Sequence, residues 1–158
     1  LGVDKERIQC YNINIRDKER ENKTMKTLEE RIQLAKQGKN LEELVKDSDW
    51  NVRWEVAKHK KDNLLDILVK DEHPEVRANV LIAHRRDKDL DILVNDKEHW
   101  IRCEVAEIGR DKDLDVLVKD KEFTVVLEVL KHNRKKDIDF LKNSEDFIIQ
   151  SKLRELAI

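Results

Sequence analysis

The chain has 158 residues, 43% of them charged and only 4% aromatic, and its 33 basic and 35 acidic residues leave a formal net charge of -2. That balance excludes a strongly basic nucleic-acid binder and a strongly acidic nucleic-acid mimic as global descriptions; charge-driven binding must come from local patterning. Three glycines and one proline are too little turn punctuation for a sheet protein, and no apolar run approaches the roughly 18 residues of a membrane span.

Residues 1–24 show no helical period, and the only methionine is Met25. The expectation is an N-terminal extension, poorly ordered or preceding a natural start at Met25; a strand-like arm over Ile8–Ile15 is the alternative. From Met25 the chain reads as a helix to about residue 37, opened by a capping box of Thr27 and Glu30 and closed by Gly38. This helix, within 25–40, is expected to cap the N-terminal end of a repeat array.

From residue 41 the sequence repeats. Leu41, Leu65, Leu90, Leu114 and Ile138 begin five units spaced by 24, 25, 24 and 24 residues. Leucine holds the fourth position (Leu44, Leu68, Leu93, Leu117, Leu141), and Val45, Val69, Val94 and Val118 hold the fifth, where the last unit has Lys142. That spacing predicts a short first helix. Val52, Val76, Ile101, Val125 and Ile149, with Val56, Val80, Val105, Val129 and Leu153 four residues later, predict one face of a longer second helix. Asn40, Asp89, Asp113 and Asp137 are expected to cap the short helices, and Pro74 to sit in the first turn of a long one. A period of this length signals an α-solenoid. The expected fold is all-α, about five two-helix repeats over residues 25–158.

One polar pair recurs inside the apolar frame: Asp47 with Arg53, Asp71 with Arg77, and Asp96 with Arg102, six residues apart. Asp120 keeps the acid but Val126 replaces the arginine, and the last unit has Ser144 and Gln150. On a helical wheel the arginine column falls on the apolar face. A buried guanidinium needs a partner, and the aspartate of the same or a neighbouring unit supplies one, so the pair reads as a structural ladder.

The pattern from Leu41 to Ala57, and again from Leu90 to Ala106, resembles the leucine-rich-repeat variant family and, more broadly, HEAT-like repeats. The resemblance covers residues 41–158. It implies a right-handed superhelix of short, often 3₁₀, helices paired with α-helices, an Asp–Arg inter-repeat ladder, and no particular function. The iron–sulfur cluster described in that family does not transfer, because the N-terminal region offers only Cys10. The polar residues Lys142, Ser144, Gln150 and Arg154 make the last repeat read as a terminal cap.

No phosphate-cradling glycine loop, metal-ligand spacing or nucleophile–base pair stands out, so no cofactor or metal is expected. His59, His84 and His132 fall near the ends of long helices, one per repeat and too far apart to chelate. The acids Glu42, Asp66, Asp91, Asp115 and Asp139 lie in the first turn of each short helix, where the helix dipole favours them. Lys60, Lys61, Arg85, Arg86, Arg110, Arg134, Lys135 and Lys136 form a basic column, read either as helix-C-terminal cations or as a contact for an acidic partner. Trp54 shares a column with uncharged residues and is expected to pack between helices. Trp100 is expected to be exposed, as an interface anchor. Trp50, Phe123 and Phe147 are expected to pack at helix starts.

The expected function is a non-catalytic protein-binding module in a reducing, cytoplasmic setting, with Trp100, Trp54 and the basic column as contacts. Nucleic-acid binding through that column is the alternative, disfavoured by the net charge. An enzyme or enzyme subunit acting on another protein is a third reading.

Overall fold

A computed structural model describes residues 27–156. The expectations for residues 1–24, Cys10 and Met25 lie outside the described residues. Eleven α-helices and no strand occur among the described residues. They are α1 (Leu28–Lys36), α2 (Leu41–Leu44), α3 (Trp50–Ala57), α4 (Asp62–Leu68), α5 (Pro74–His84), α6 (Asp87–Leu93), α7 (His99–Ile108), α8 (Asp111–Leu117), α9 (Phe123–Leu130), α10 (Lys135–Leu141) and α11 (Phe147–Leu156). Among the described residues no helix is long and apolar enough to cross a membrane. The chain divides into two compact bodies, one ending at Val56 and one beginning at Ala57.

In the first body, α1 starts at the expected capping box. The Thr27 hydroxyl accepts from the Glu30 amide at 3.2 Å, and the Glu30 carboxylate accepts from the Thr27 amide at 3.3 Å. It ends in a Schellman motif: the Lys39 amide donates to the Leu34 carbonyl and the Gly38 amide to the Ala35 carbonyl. Gly38 takes φ +72° there, a left-handed conformation that favours glycine. The core of this body is Ala35, Leu41, Leu44, Val45, Val52 and Val56.

In the second body, short helices (α4, α6, α8, α10) alternate with long ones (α5, α7, α9, α11). α5, α7 and α9 each pack on the next long helix in line and on neighbouring short ones, and α11 packs on α9. The fourth-position leucines and both long-helix columns are buried in it, and Val69, Val94 and Val118 with them. Ile138 is only half-buried and Lys142 is exposed. Pro74 is the first residue of α5, where its missing N–H leaves no bond unmade. The short helices are α-helical, with i to i−4 bonds such as Val69 amide to Leu65 carbonyl, and both their entries and their exits tighten to i−3.

The expected capping by Asp89, Asp113 and Asp137 is corrected. The short helices begin three residues earlier than that capping implies, and their N-caps are Arg86, Arg110 and Arg134. The three aspartates are third helical residues, 0 to 2% exposed. Asn40 does occupy an N-cap, in the left-handed region, but its side chain makes no capping bond.

Candidate functional site

Polar side chains of the second body form two ladders. The first contains the expected pair, with a register that spans repeats. Arg77 donates Nη1 to the carbonyls of Asp71 and Glu72, at 2.8 and 3.2 Å. It sends Nε and Nη2 to both oxygens of Asp96, each at 2.7 Å. Arg102 repeats the arrangement on the carbonyls of Asp96 and Lys97 and on the carboxylate of Asp120. Arginine therefore closes its own inter-helix turn and grips the aspartate of the next one. In the first body Arg53 closes the turn at Asp47 and Ser48 in the same way, and Asp47 is gripped by Arg31 of α1 at 2.7 Å. Each aspartate also accepts a backbone amide two residues on, as Asp71 does from His73 and Asp120 from Glu122.

That offset accounts for the fading at the C-terminal side. Val126 offers no guanidinium, so the following turn needs no carboxylate, and Ser144 stands there. Ser144 keeps the turn bond, accepting from the Asp146 amide at 3.2 Å. Gln150 closes that turn by donating to the carbonyls of Ser144, Lys142 and Leu141. Burial alone would raise the Asp120 carboxyl; the Arg102 guanidinium and the Glu122 amide outweigh it and hold the group below the usual carboxylate range.

The second ladder was not foreseen. Arg86, an N-cap residue, grips the buried Asp89 three residues on, with two bonds of 2.7 Å. Its Nη1 also reaches the carbonyl and carboxylate of Asp62, at 3.2 and 3.1 Å, and its Nη2 lies 3.0 Å from Asp66. Arg110 does the same with Asp113, Asp87 and Asp91, and Arg134 with Asp137, Asp111 and Asp115. Lys88, Lys112 and Lys136 close the outer edge on Asp66, Asp91 and Asp115. These lysines, the strongest influence on each, hold the three carboxyls below their usual range, with the arginines adding to it. The sequence signal is an Arg-x-x-Asp step at a 24-residue period, which gives way at both positions together where Lys61 and Leu64 stand. An arginine at a helix N-terminus opposes the dipole; the third-position aspartate offsets it within one turn.

The expected basic column is thereby divided. Arg86, Arg110 and Arg134 are 13 to 17% exposed at the side chain and lie within the ion-pair lattice, and Lys136 joins its rim. They sit at short-helix N-termini, so their reading as C-terminal cations of the long helices is corrected. Arg85, Lys60, Lys61 and Lys135 are exposed. The acids Asp66, Asp91 and Asp115 are ion-pair partners, and Asp139 pairs with Lys142.

The aromatic expectations also shift. Trp100 and Trp54 are both half-buried, so Trp100 is not the freely exposed anchor its column suggested. Phe123 and Phe147, expected to pack, are 40% and 78% exposed. The histidines act as caps: His84 Nε2–H donates to the Ala57 carbonyl at 2.7 Å, and His132 to the Ala106 carbonyl at 2.8 Å. These carbonyls end the preceding long helix and have no partner within it. Burial pushes the Cys103 thiol up, away from thiolate chemistry.

One exposed column was not singled out in the sequence. Ile67, Ile92, Val116 and Phe140 hold the third position of their units, on α4, α6, α8 and α10, and are 46, 40, 47 and 56% exposed. Beside them run grooves between neighbouring short helices. One is lined by Val94, Lys97, Arg102, Val116, Lys119 and Lys121, among others. A second lies beside Val69, Lys70, Arg77 and Ile92.

No protein-family model matches this chain, and neither a curated protein nor a solved structure matches it.

Proposed function

We propose that this chain is a non-catalytic protein-binding module, a short right-handed α-solenoid of about five repeats similar to the leucine-rich-repeat variant. The observation that carries the reading is the exposed apolar column Ile67–Ile92–Val116–Phe140, recurring at the period of the sequence repeat. Exposed branched and aromatic side chains weaken solubility, and a regular array of them suits an extended contact. The two ladders add support. They pair Arg77, Arg86, Arg102, Arg110 and Arg134 with aspartates internally, so the frame that presents the column is held by charge-assisted bonds.

Nucleic-acid binding through the basic column is weakened by the same geometry, because Arg86, Arg110 and Arg134 already satisfy carboxylates. Trp100 and Arg85 remain contacts to test.

Affinity capture from the native host, followed by titration of each purified candidate against the full chain, tests the reading. A protein binding at one to one, with affinity reduced by Ile92→Asp, Trp100→Ala or Arg85→Glu, is the expected result. Salt-sensitive retention of nucleic acid with no protein partner would reverse it.

A further inference from the structure

Resting on the protein-binding reading, the geometry points to one kind of partner: an extended acidic segment carrying an apolar side chain at every third residue. We propose that it lies across the grooves between α6 and α8 and their neighbours.

Charge sets the first half of the argument. The groove between α6 and α8 is lined by Lys97, Lys119, Lys121 and Arg102 against two carboxylates, Asp96 and Asp120. Both carboxylates are already held in bidentate bonds, Asp96 by Arg77 and Asp120 by Arg102. The three lysines are exposed, and with both carboxylates taken up by arginine they leave the groove an excess of positive charge. Lys119 lies over the Phe140 ring, 5.8 Å from its centroid, which keeps the ammonium beside the apolar column. The neighbouring groove adds Lys70, with its acids Asp71, Glu72 and Asp96 balancing its cations, so the preference for an anion centres on α6–α8.

Spacing sets the second half. Ile92, Val116 and Phe140 come from successive short helices, and packed helices recur at about 10 Å. A polyproline II segment places every third side chain on one face, about 9.3 Å apart. A β-strand repeats its face at about 6.7 Å and drifts out of step after one groove. The polyproline form also leaves its backbone solvated, which suits a surface offering no unpaired strand edge.

The test uses the full chain and a fluorescein-labelled peptide of about twelve residues in valine–glutamate–proline triplets, roughly 37 Å long in that form. Anisotropy is expected to report a Kd on the order of 10–100 µM. Lys97→Glu with Lys121→Glu should weaken it at least tenfold, Val116→Ser severalfold, and Lys39→Glu not at all. These are exposed positions, and an unchanged melting temperature establishes that each variant folds. A peptide with valine at every second residue should bind more weakly. No binding to about 1 mM, equal binding of both peptides, or binding indifferent to Lys97 and Lys121 overturns the proposal. So does an oligonucleotide of equal charge that binds more tightly through the same lysines. If a captured protein partner binds the Lys97/Lys121 variant normally, this surface assignment falls while the protein-binding reading stands.

Discussion

The costliest residues to disturb are those whose charge is buried. Arg102 and Asp120 are each 8% exposed at the side chain and share a bidentate bond. Removing one partner strands the other, at about 3–5 kcal/mol. The chain itself holds the neutral solution, with Val126 in the arginine's place and Ser144 in the aspartate's. Urea denaturation of Arg102→Val, Asp120→Ser and the double variant is therefore expected to show strong coupling, with the double losing less than half of the summed single losses. Simple additivity would refute the pairing. The same carboxyl predicts the acid limb. Its folded pKa lies below the unfolded value of about 3.9, so its contribution is present above that pH and lost as pH falls through the folded pKa. Asp120→Asn should flatten the stability curve below about pH 4, measured by urea midpoints at each pH.

Among the elements, α6, α8 and α10 depend on a contact between the N-cap and the third residue of their own first turn. Asp113 is 3% exposed at the side chain and Arg110 grips it from the N-cap. Arg110→Ala is expected to lower stability by about 3 kcal/mol, with little recovery in salt because the pair is shielded from solvent. Lys112→Ala, on the exposed rim, should cost less than about 1 kcal/mol and nothing at high salt. The exit of α7 makes a separate demand. Gly109 takes φ +79°, and a Cβ there would come within 2.5 Å of the His132 ring. Gly109→Ala is expected to cost about 1–2 kcal/mol and to loosen the His132 bond to Ala106, visible as a shifted imidazole signal by NMR. Arg85 occupies the equivalent left-handed position at φ +46° without that freedom, so Arg85→Gly should raise the melting temperature slightly.

Along the chain as a whole, the apolar columns were legible in the sequence because burial imposes one simple choice at each position. The Asp–Arg ladder was legible as a pairing, because an arginine on an apolar face must find an acid. Its register stayed open, since the near aspartate at six residues supplies a carbonyl and the gripping carboxylate comes from 18 or 19 residues downstream. Asp89 was misread because an aspartate just before a leucine looks like a cap, and its partner precedes the helix. The exposed column escaped notice because Ile92 and Val116 look like core residues until the short helix is oriented. Stability should be uneven along the second body. α11 has a neutral turn contact in place of an ionic rung and leaves Phe147 and Ile148 exposed. Native-state hydrogen exchange is expected to be faster in α11 than in α7; equal protection would count against the rungs as a source of stability.

The forward reach of Arg77 and Arg102 makes the first ladder readable in one direction only, and so sets where the chain can be spliced. Cutting out residues 90–113 would bring Arg77 opposite Asp120, donor still facing acceptor, and the joint should heal. Cutting out residues 114–137 would bring Arg102 opposite Ser144, leaving a guanidinium with no carboxylate to meet. Two excisions of equal length, one period apart, would thus part company, the first yielding a shorter folded chain and the second a destabilised one.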